Sequence, residues 1–137
     1  YQSIVSRYID PQEPVVLSVT QFHGGDAYNV IPNEIEIKGT VRCFSNKVQA
    51  SIEKQMENLT SSICSAYGAT YEFEYQHRYP PTINSAEEVE TSVKVMNEIS
   101  DESMINTSPS PSMGSEDFAF MLQEKPGSYI WIGMAIK

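Results

Sequence analysis

The sequence predicts an α+β fold: a ferredoxin-like antiparallel sheet with helices on one face, followed by a partial α/β segment. Three observations predict it. Residues 14–22 and 33–44 alternate apolar with polar, the period of a half-buried strand. Val48, Ile52, Met56, Leu59, Ile63 and Ala66 recur at steps of three and four, which only a helix brings to one face. Tyr79-Pro80-Pro81 then interrupts the pattern, because two prolines hold extended backbone and donate no hydrogen bonds.

The elements follow in order. Ile4, Val5 and Tyr8 have the spacing of a helix face, stopped by Asp10-Pro11. In the run 14–22, Val15, Leu17 and Val19 fall on one side and Val16, Ser18 and Thr20 on the other. His23-Gly24-Gly25-Asp26 breaks that strand, and a glycine pair accepts backbone angles other residues resist. In the run 33–44, Ile35, Ile37, Val41 and Cys43 share one face, and Glu34, Glu36, Lys38, Thr40 and Arg42 the other. Asn46 opens the long helix with Gln49 three residues on as a weak capping box, and Gly68 stands where a left-handed cap belongs. Residues 69–76 alternate again, placing Tyr71, Phe73 and Tyr75 opposite Thr70, Glu72 and Glu74, so a further strand is expected there.

Beyond the proline pair, Ser85 and Glu88 read as a capping box for a helix lined by Val89, Val93, Met96 and Ile99. Residues 101–112 are polar and proline-containing and read as a loop. Ser115 is placed to cap a short helix through Leu122, with Glu116 and Asp117 in its first turn. Pro126-Gly127 turns the chain into a last expected strand, Tyr129 to Gly133.

Composition narrows the function. The chain has 137 residues, 40% hydrophobic and 20% charged, a globular balance. Its formal net charge of -9 repels phosphate backbones and anionic lipid, so neither nucleic acid nor a membrane surface is an expected partner. No apolar run approaches the roughly 20 residues that span a bilayer. Cys43 and Cys64 are too few for a disulfide framework and read as free thiols in a reducing, cytoplasmic compartment.

Candidate chemistry is sparse. A hydrolytic two-metal site needs about five or six His, Asp, Glu or Cys ligands, and this chain has only His23 and His77 with no ligand-spaced motif. Neither a nucleophile elbow nor a phosphate-binding glycine loop is present. Asn29, between Tyr28 and Val30-Ile31-Pro32, is either a turn residue with unusual backbone angles or an amide aimed at a developing oxyanion. Arg42 either pairs with a strand carboxylate or captures a substrate carboxylate with its planar fork. Met113, Gly114 and Ser115 precede a helix start whose backbone amides can face an anion.

Read together, the ordered motifs resemble one family. HGG-x-A-x-N-V-I-P at 23–32, G-T-x-R at 39–42, A-Y-G-A at 66–69, Y-P-P-T-x-N at 79–84 and P-S-M-G-S-E-D-F at 111–118 are similar to the M20 metal-dependent amidohydrolases. The likeness is to the branch of hippurate, N-acyl-amino-acid and indole-acetyl-amino-acid hydrolases. It implies a lid and dimerisation domain over residues 1–78, lacking its first strand and most of its first helix. Residues 79–137 then form an incomplete C-terminal part of a zinc-peptidase-like catalytic domain. It implies a catalytic role for Asn29, reaching the active site of a partner subunit in a homodimer. Arg42 would bind the substrate carboxylate, and Met113, Gly114 and Ser115 would line the substrate pocket. The cofactors it implies are two divalent ions, zinc or manganese, whose ligands lie outside this chain, so the chain alone is expected to be inactive. The competing expectation is a non-catalytic ferredoxin-like module that dimerises or binds a ligand.

Overall fold

The computed structural model describes residues 1–133. The chain divides into two compact units, Tyr1–Gln76 and the part from His77 onward. The fold is α+β, with four α-helices and one two-stranded antiparallel sheet among the described residues.

The first unit contains α1 (Gln2–Tyr8), β1 (Val15–His23), β2 (Glu36–Cys43) and α2 (Asn46–Ala66). Its core is small: Ile4 of α1, Leu17 of β1 and Ile52 of α2 are buried against one another. Tyr1, Val5, Ile9, Val15, Val41, Val48, Met56 and Leu59 pack around them. Because Leu17 meets both Ile4 and Ile52, the two helices cover the same face of the sheet, as the alternation requires. Tyr8 stands out into solvent, so the α1 face that packs is Tyr1, Ile4 and Val5. The chain leaves α1 through a turn in which Asp10 accepts from Gln12 and Glu13, which explains the stop at that residue.

The strands pair from Val15↔Cys43 to Val19↔Gly39, then shift register at a bulge between Val19 and Gln21 and continue from Gln21↔Lys38 to His23↔Glu36. Gly39 sits opposite the bulge, where a β-carbon would collide with the Ser18 carbonyl oxygen. The helices cover only one end of this face. Val41 and Cys43 are half-buried, whereas Ile35 and Ile37, expected on the packed side, are largely exposed.

The α2 helix is capped one residue earlier than the sequence motif implies. Ser45 is the N-cap, and its hydroxyl accepts from Val48 N at 3.4 Å. At the other end Gly68 has φ +66°, with Ala69 N donating to Cys64 O at 2.9 Å and Gly68 N to Ser65 O at 3.2 Å. This is the left-handed closure a glycine permits. Cys43 and Cys64 are both free.

The strand expected at 69–76 does not form. Phe73 and Tyr75 are half-buried between exposed neighbours, so the alternation survives, but among the described residues this segment is not part of the sheet. A strand needs a hydrogen-bonding neighbour as well as a pattern.

The second unit holds α3 (Ala86–Ile99), a single 3-10 turn (Glu102–Met104) and α4 (Phe118–Glu124). Val89, Val93 and Met96 form the half-buried stripe of α3, while Ile99 is exposed. Ser85 is the N-cap of α3, but its hydroxyl accepts from Gly127 N at 3.2 Å instead of closing a capping box. The N-cap of α4 is Asp117, not Ser115, and no acid lies in its first turn. The buried residue of α4 is Ala119. The expected strand at 129–133 is likewise absent from the described sheet.

Replacing fully buried Ile52 by alanine is expected to cost about 2–5 kcal/mol, the range for emptying a core site. Ile63, on the same helix but 52% exposed, is expected to tolerate alanine within about 1 kcal/mol. Urea unfolding of the two variants measures the contrast.

Candidate functional site

Asn29 lies in the loop between β1 and β2, in a run of residues that is exposed throughout. Gly25, with φ +79°, turns the chain into this loop, and a β-carbon on Gly24 would collide with the Ile35 side chain. The tip is apolar: Tyr28 is 105% exposed, and Val30 and Ile31 are also open to solvent. Val30 N donates to Ala27 O at 3.2 Å, which closes a short turn around Asn29. No residue other than glycine has positive φ among the described residues, so the backbone at this position does not call for asparagine. The choice of an amide here is therefore not explained by turn geometry.

Arg42 is on β2, opposite Val16 and six residues along the strand from Glu36, where the loop returns. It is exposed, and it alternates with half-buried Val41 and Cys43, so its side chain leaves the sheet on the side away from α1 and α2. Burial pushes the Cys43 thiol up from its usual range. Tyr75 is raised as well, first by burial, while its hydrogen bond to Gln49 acts the other way.

Met113, Gly114 and Ser115 belong to the second unit, as the end of the segment leading into α4. Met113 is half-buried, and Gly114 and Ser115 are exposed. Gly114 N donates to Ser112 Oγ at 3.2 Å, a local side-chain turn.

Three residues tie this turn to the rest of the unit: Glu116, expected only as an acid in the first turn of the short helix, and Tyr129 and Asn84, to which the sequence assigned no role of their own. Glu116 Oε2 accepts from the Tyr129 hydroxyl at 2.8 Å, and Glu116 Oε1 accepts from Phe118 N at 3.4 Å. Tyr129 is held in turn by the Asn84 amide. Asn84 Nδ2 donates to Tyr129 O and Tyr129 N donates to Asn84 Oδ1, both at 2.9 Å. This two-way bond takes up the N–H and C=O of Tyr129 as a neighbouring strand would, and Tyr129 belongs to no strand among the described residues. Ser85 N donating to Gly127 O at 2.9 Å extends the pairing by one step. The Phe118 and Tyr129 rings lie 5.6 Å apart. The available signal was the Y-P-P-T-x-N motif, which contains Asn84 but gives no hint of its partner.

The electrostatics are local. The Asp117 side chain hydrogen-bonds Glu116 and holds its carboxyl below the usual glutamate range, with Tyr129 and the Phe118 amide adding to the effect. Asp117 is displaced upward by that same bond and by the neighbouring charge, so the pair keeps one proton longer than two separate acids would. The Tyr129 phenol is raised chiefly because it donates to Glu116.

Among the described residues no group of three or more His, Cys, Asp or Glu side chains is placed to hold a metal ion. The donor set here does not fit a divalent-metal centre. No helix of the described residues is long and apolar enough to cross a membrane.

These features define an α+β chain that displays polar groups from an exposed loop, a strand and the segment before α4. The model of peptidase family M20/M25/M40 matches residues 6–136, and the chain belongs to that family. It is 37% identical over 131 residues to thermostable carboxypeptidase 1 of Saccharolobus solfataricus, covering 95% of this chain and 32% of that protein. It is 52% identical over 83 residues to an N-acyl-L-amino acid amidohydrolase of Geobacillus stearothermophilus, covering 61% of this chain and 22% of that protein. It is 35% identical over 141 residues to the IAA-amino acid hydrolase ILR1-like 4 of Arabidopsis thaliana, covering 99% and 32%. A crystal structure of a chain assigned as an aminohydrolase, from methicillin-resistant Staphylococcus aureus, superposes with TM-score 0.77 at 34% identity, covering 92% of this chain and 32% of that one. The chain spans about a third of the length of the curated relatives it matches along most of its own length. Members of this family are generally metal-dependent.

Because its folded-state pKa is raised, Tyr129 contributes stability that is fully present below the ordinary phenol value and is lost as pH rises through the raised one. Glu116, being depressed, contributes stability present above the ordinary glutamate value and lost as pH falls through the depressed one. Asp117 runs the other way: its contribution is present below the ordinary aspartate value and is lost as pH rises through its raised one. Ring resonances followed by NMR titration are expected to place Tyr129 above the ordinary tyrosine range. Glu116→Gln, which removes the negative acceptor, is expected to return it toward that range.

Proposed function

We propose that this chain is part of a metal-dependent amidohydrolase that cleaves the amide bond of N-acyl amino acids or similar conjugates. The observation that carries the reading is the family match over residues 6–136, with relatives named for hydrolysis of such amides. The first unit acts as the lid and dimerisation domain, and the second as the C-terminal part of the catalytic domain. The exposed apolar tip at Tyr28, Val30 and Ile31 supports a homodimer contact made through the lid. The whole protein acts in the cytoplasm, and two divalent ions, zinc or manganese, are bound by residues outside positions 1–137.

The roles of this chain's own residues follow from their chemistry. The Asn29 amide donates N–H to the carbonyl oxygen of the scissile bond as negative charge gathers there. Such a fixed dipole is stronger in the transition state than in the ground state. An amide that backbone geometry does not require, on an exposed loop, supports this role. Arg42 grips the substrate carboxylate through parallel N–H bonds, and its exposure on the open side of β2 supports that assignment. Met113, Gly114 and Ser115 line the pocket. No step of water activation is assigned to this chain, because its described residues form no metal-ligand cluster.

That same observation favours the second reading, a non-catalytic module that dimerises or binds a ligand. Steady-state kinetics on the full-length protein separate the two, since a module releases no amino acid from any N-acyl substrate. In an active full-length protein Asn29→Ala is expected to lower kcat by about 100-fold or more, as removal of an oxyanion donor does. Arg42→Ala is expected to raise KM by roughly 10- to 100-fold with kcat much less affected, because the carboxylate is bound in both states. The opposite pattern overturns both roles. The 137-residue chain by itself is expected to show no hydrolysis, and metal-dependent turnover by it overturns that expectation.

A further inference from the structure

We propose that Tyr129 and Glu116 are positioning residues that fix the Met113–Ser115 turn for substrate, with Asn84 as their anchor. This rests on the reading of that turn as part of the substrate pocket.

Met113 is half-buried, Gly114 and Ser115 are exposed, and Gly114 N donates to Ser112 Oγ. At the start of α4, Asp117 makes no capping hydrogen bond. The residue directly after Ser115 ties the turn to a more distant part of the chain. Glu116 is bound on one oxygen by the Phe118 amide at the start of α4 and on the other by the Tyr129 hydroxyl. A carboxylate held from both sides has one orientation, and its backbone carries the preceding peptide with it.

Tyr129 can serve as a fixed post because its own backbone is locked. The Asn84 amide takes both its N–H and its C=O, and Ser85 takes Gly127 in the same way. Its ring rests against Phe118. Gly127 lets this segment come close to α4, since a β-carbon there would lie 2.9 Å from Leu122 Cδ2. The result is a relay from Asn84 through Tyr129 to Glu116, joining the 79–84 and 111–118 motifs through a residue outside both. A phenylalanine at 129 would keep the ring contact and lose only the bond to Glu116.

The test has two arms. In the first, backbone NMR is recorded on the 137-residue chain. Tyr129→Phe is expected to shift the Gly114 and Ser115 amide resonances and lower their order parameters, leaving Ala119 and Leu122 in α4 unchanged. Glu116→Gln, which keeps one acceptor oxygen for the Tyr129 hydroxyl and loses the longer contact to Phe118 N, is expected to retain most of the order of the turn, while Glu116→Ala loses it. Unchanged Gly114 and Ser115 signals in Tyr129→Phe overturn the proposal, and so does loss of α4 signals along with them. The second arm uses the full-length protein. There Tyr129→Phe and Glu116→Ala are expected to raise KM about tenfold, the loss of one hydrogen bond to a charged group, with kcat within about threefold. Glu116→Gln is expected to stay near the parent value. A loosened turn with unaltered KM overturns the positioning role while leaving the hydrolase reading intact. A full-length protein that hydrolyses no N-acyl amino acid overturns that reading and the positioning role built on it, whatever the NMR shows.

Discussion

The first unit depends on one three-way contact, in which Ile4, Leu17 and Ile52 exclude water from between a short helix, a strand and a long helix. A two-stranded hairpin is marginal by itself, and a seven-residue helix has no independent stability. Each becomes possible only because burying these side chains repays the ordering of the other two. The contact also decides orientation. It places both helices on one side of the sheet, so that side chains such as Arg42 are left on the other.

Much of this was legible because the relevant signals are local. The α2 stripe, its glycine closure and the alternation in β1 and β2 are each written within a few residues of where they act. Cap placement was less legible. Ser45 and Asp117 stand at the N-cap positions in place of the expected Asn46 and Ser115, and a shift of one or two positions changes little in the pattern. The segments 69–76 and 129–133 were misread for a deeper reason. Alternation describes one chain segment, whereas a strand is a property of two, and among the described residues neither segment belongs to the β1-β2 sheet.

The candidate site divides along the same line. Asn29, Arg42 and Met113–Ser115 are candidates read from motifs, and the structure adds where each is displayed. The relay through Asn84, Tyr129 and Glu116 was not found, since its first link spans 45 positions and no periodicity connects its ends. The asparagine at 84 was visible only as a letter in a motif. Its meaning is geometric: an amide is the one side chain that reproduces the donor and acceptor of a peptide in a single plane. Its use here lets the chain terminate a would-be sheet edge without committing a second strand.

The outward face of β2 carries Glu36, Lys38, Thr40 and Arg42 in succession, with Glu36 and Lys38 joined at 2.8 Å. Alternating charges of this kind gain little folding energy, being open to water. Their effect is collective. Stacking of many copies into fibrils through this face would force these ionic groups into dry contact with their like. The row of charges therefore acts as a guard against such stacking.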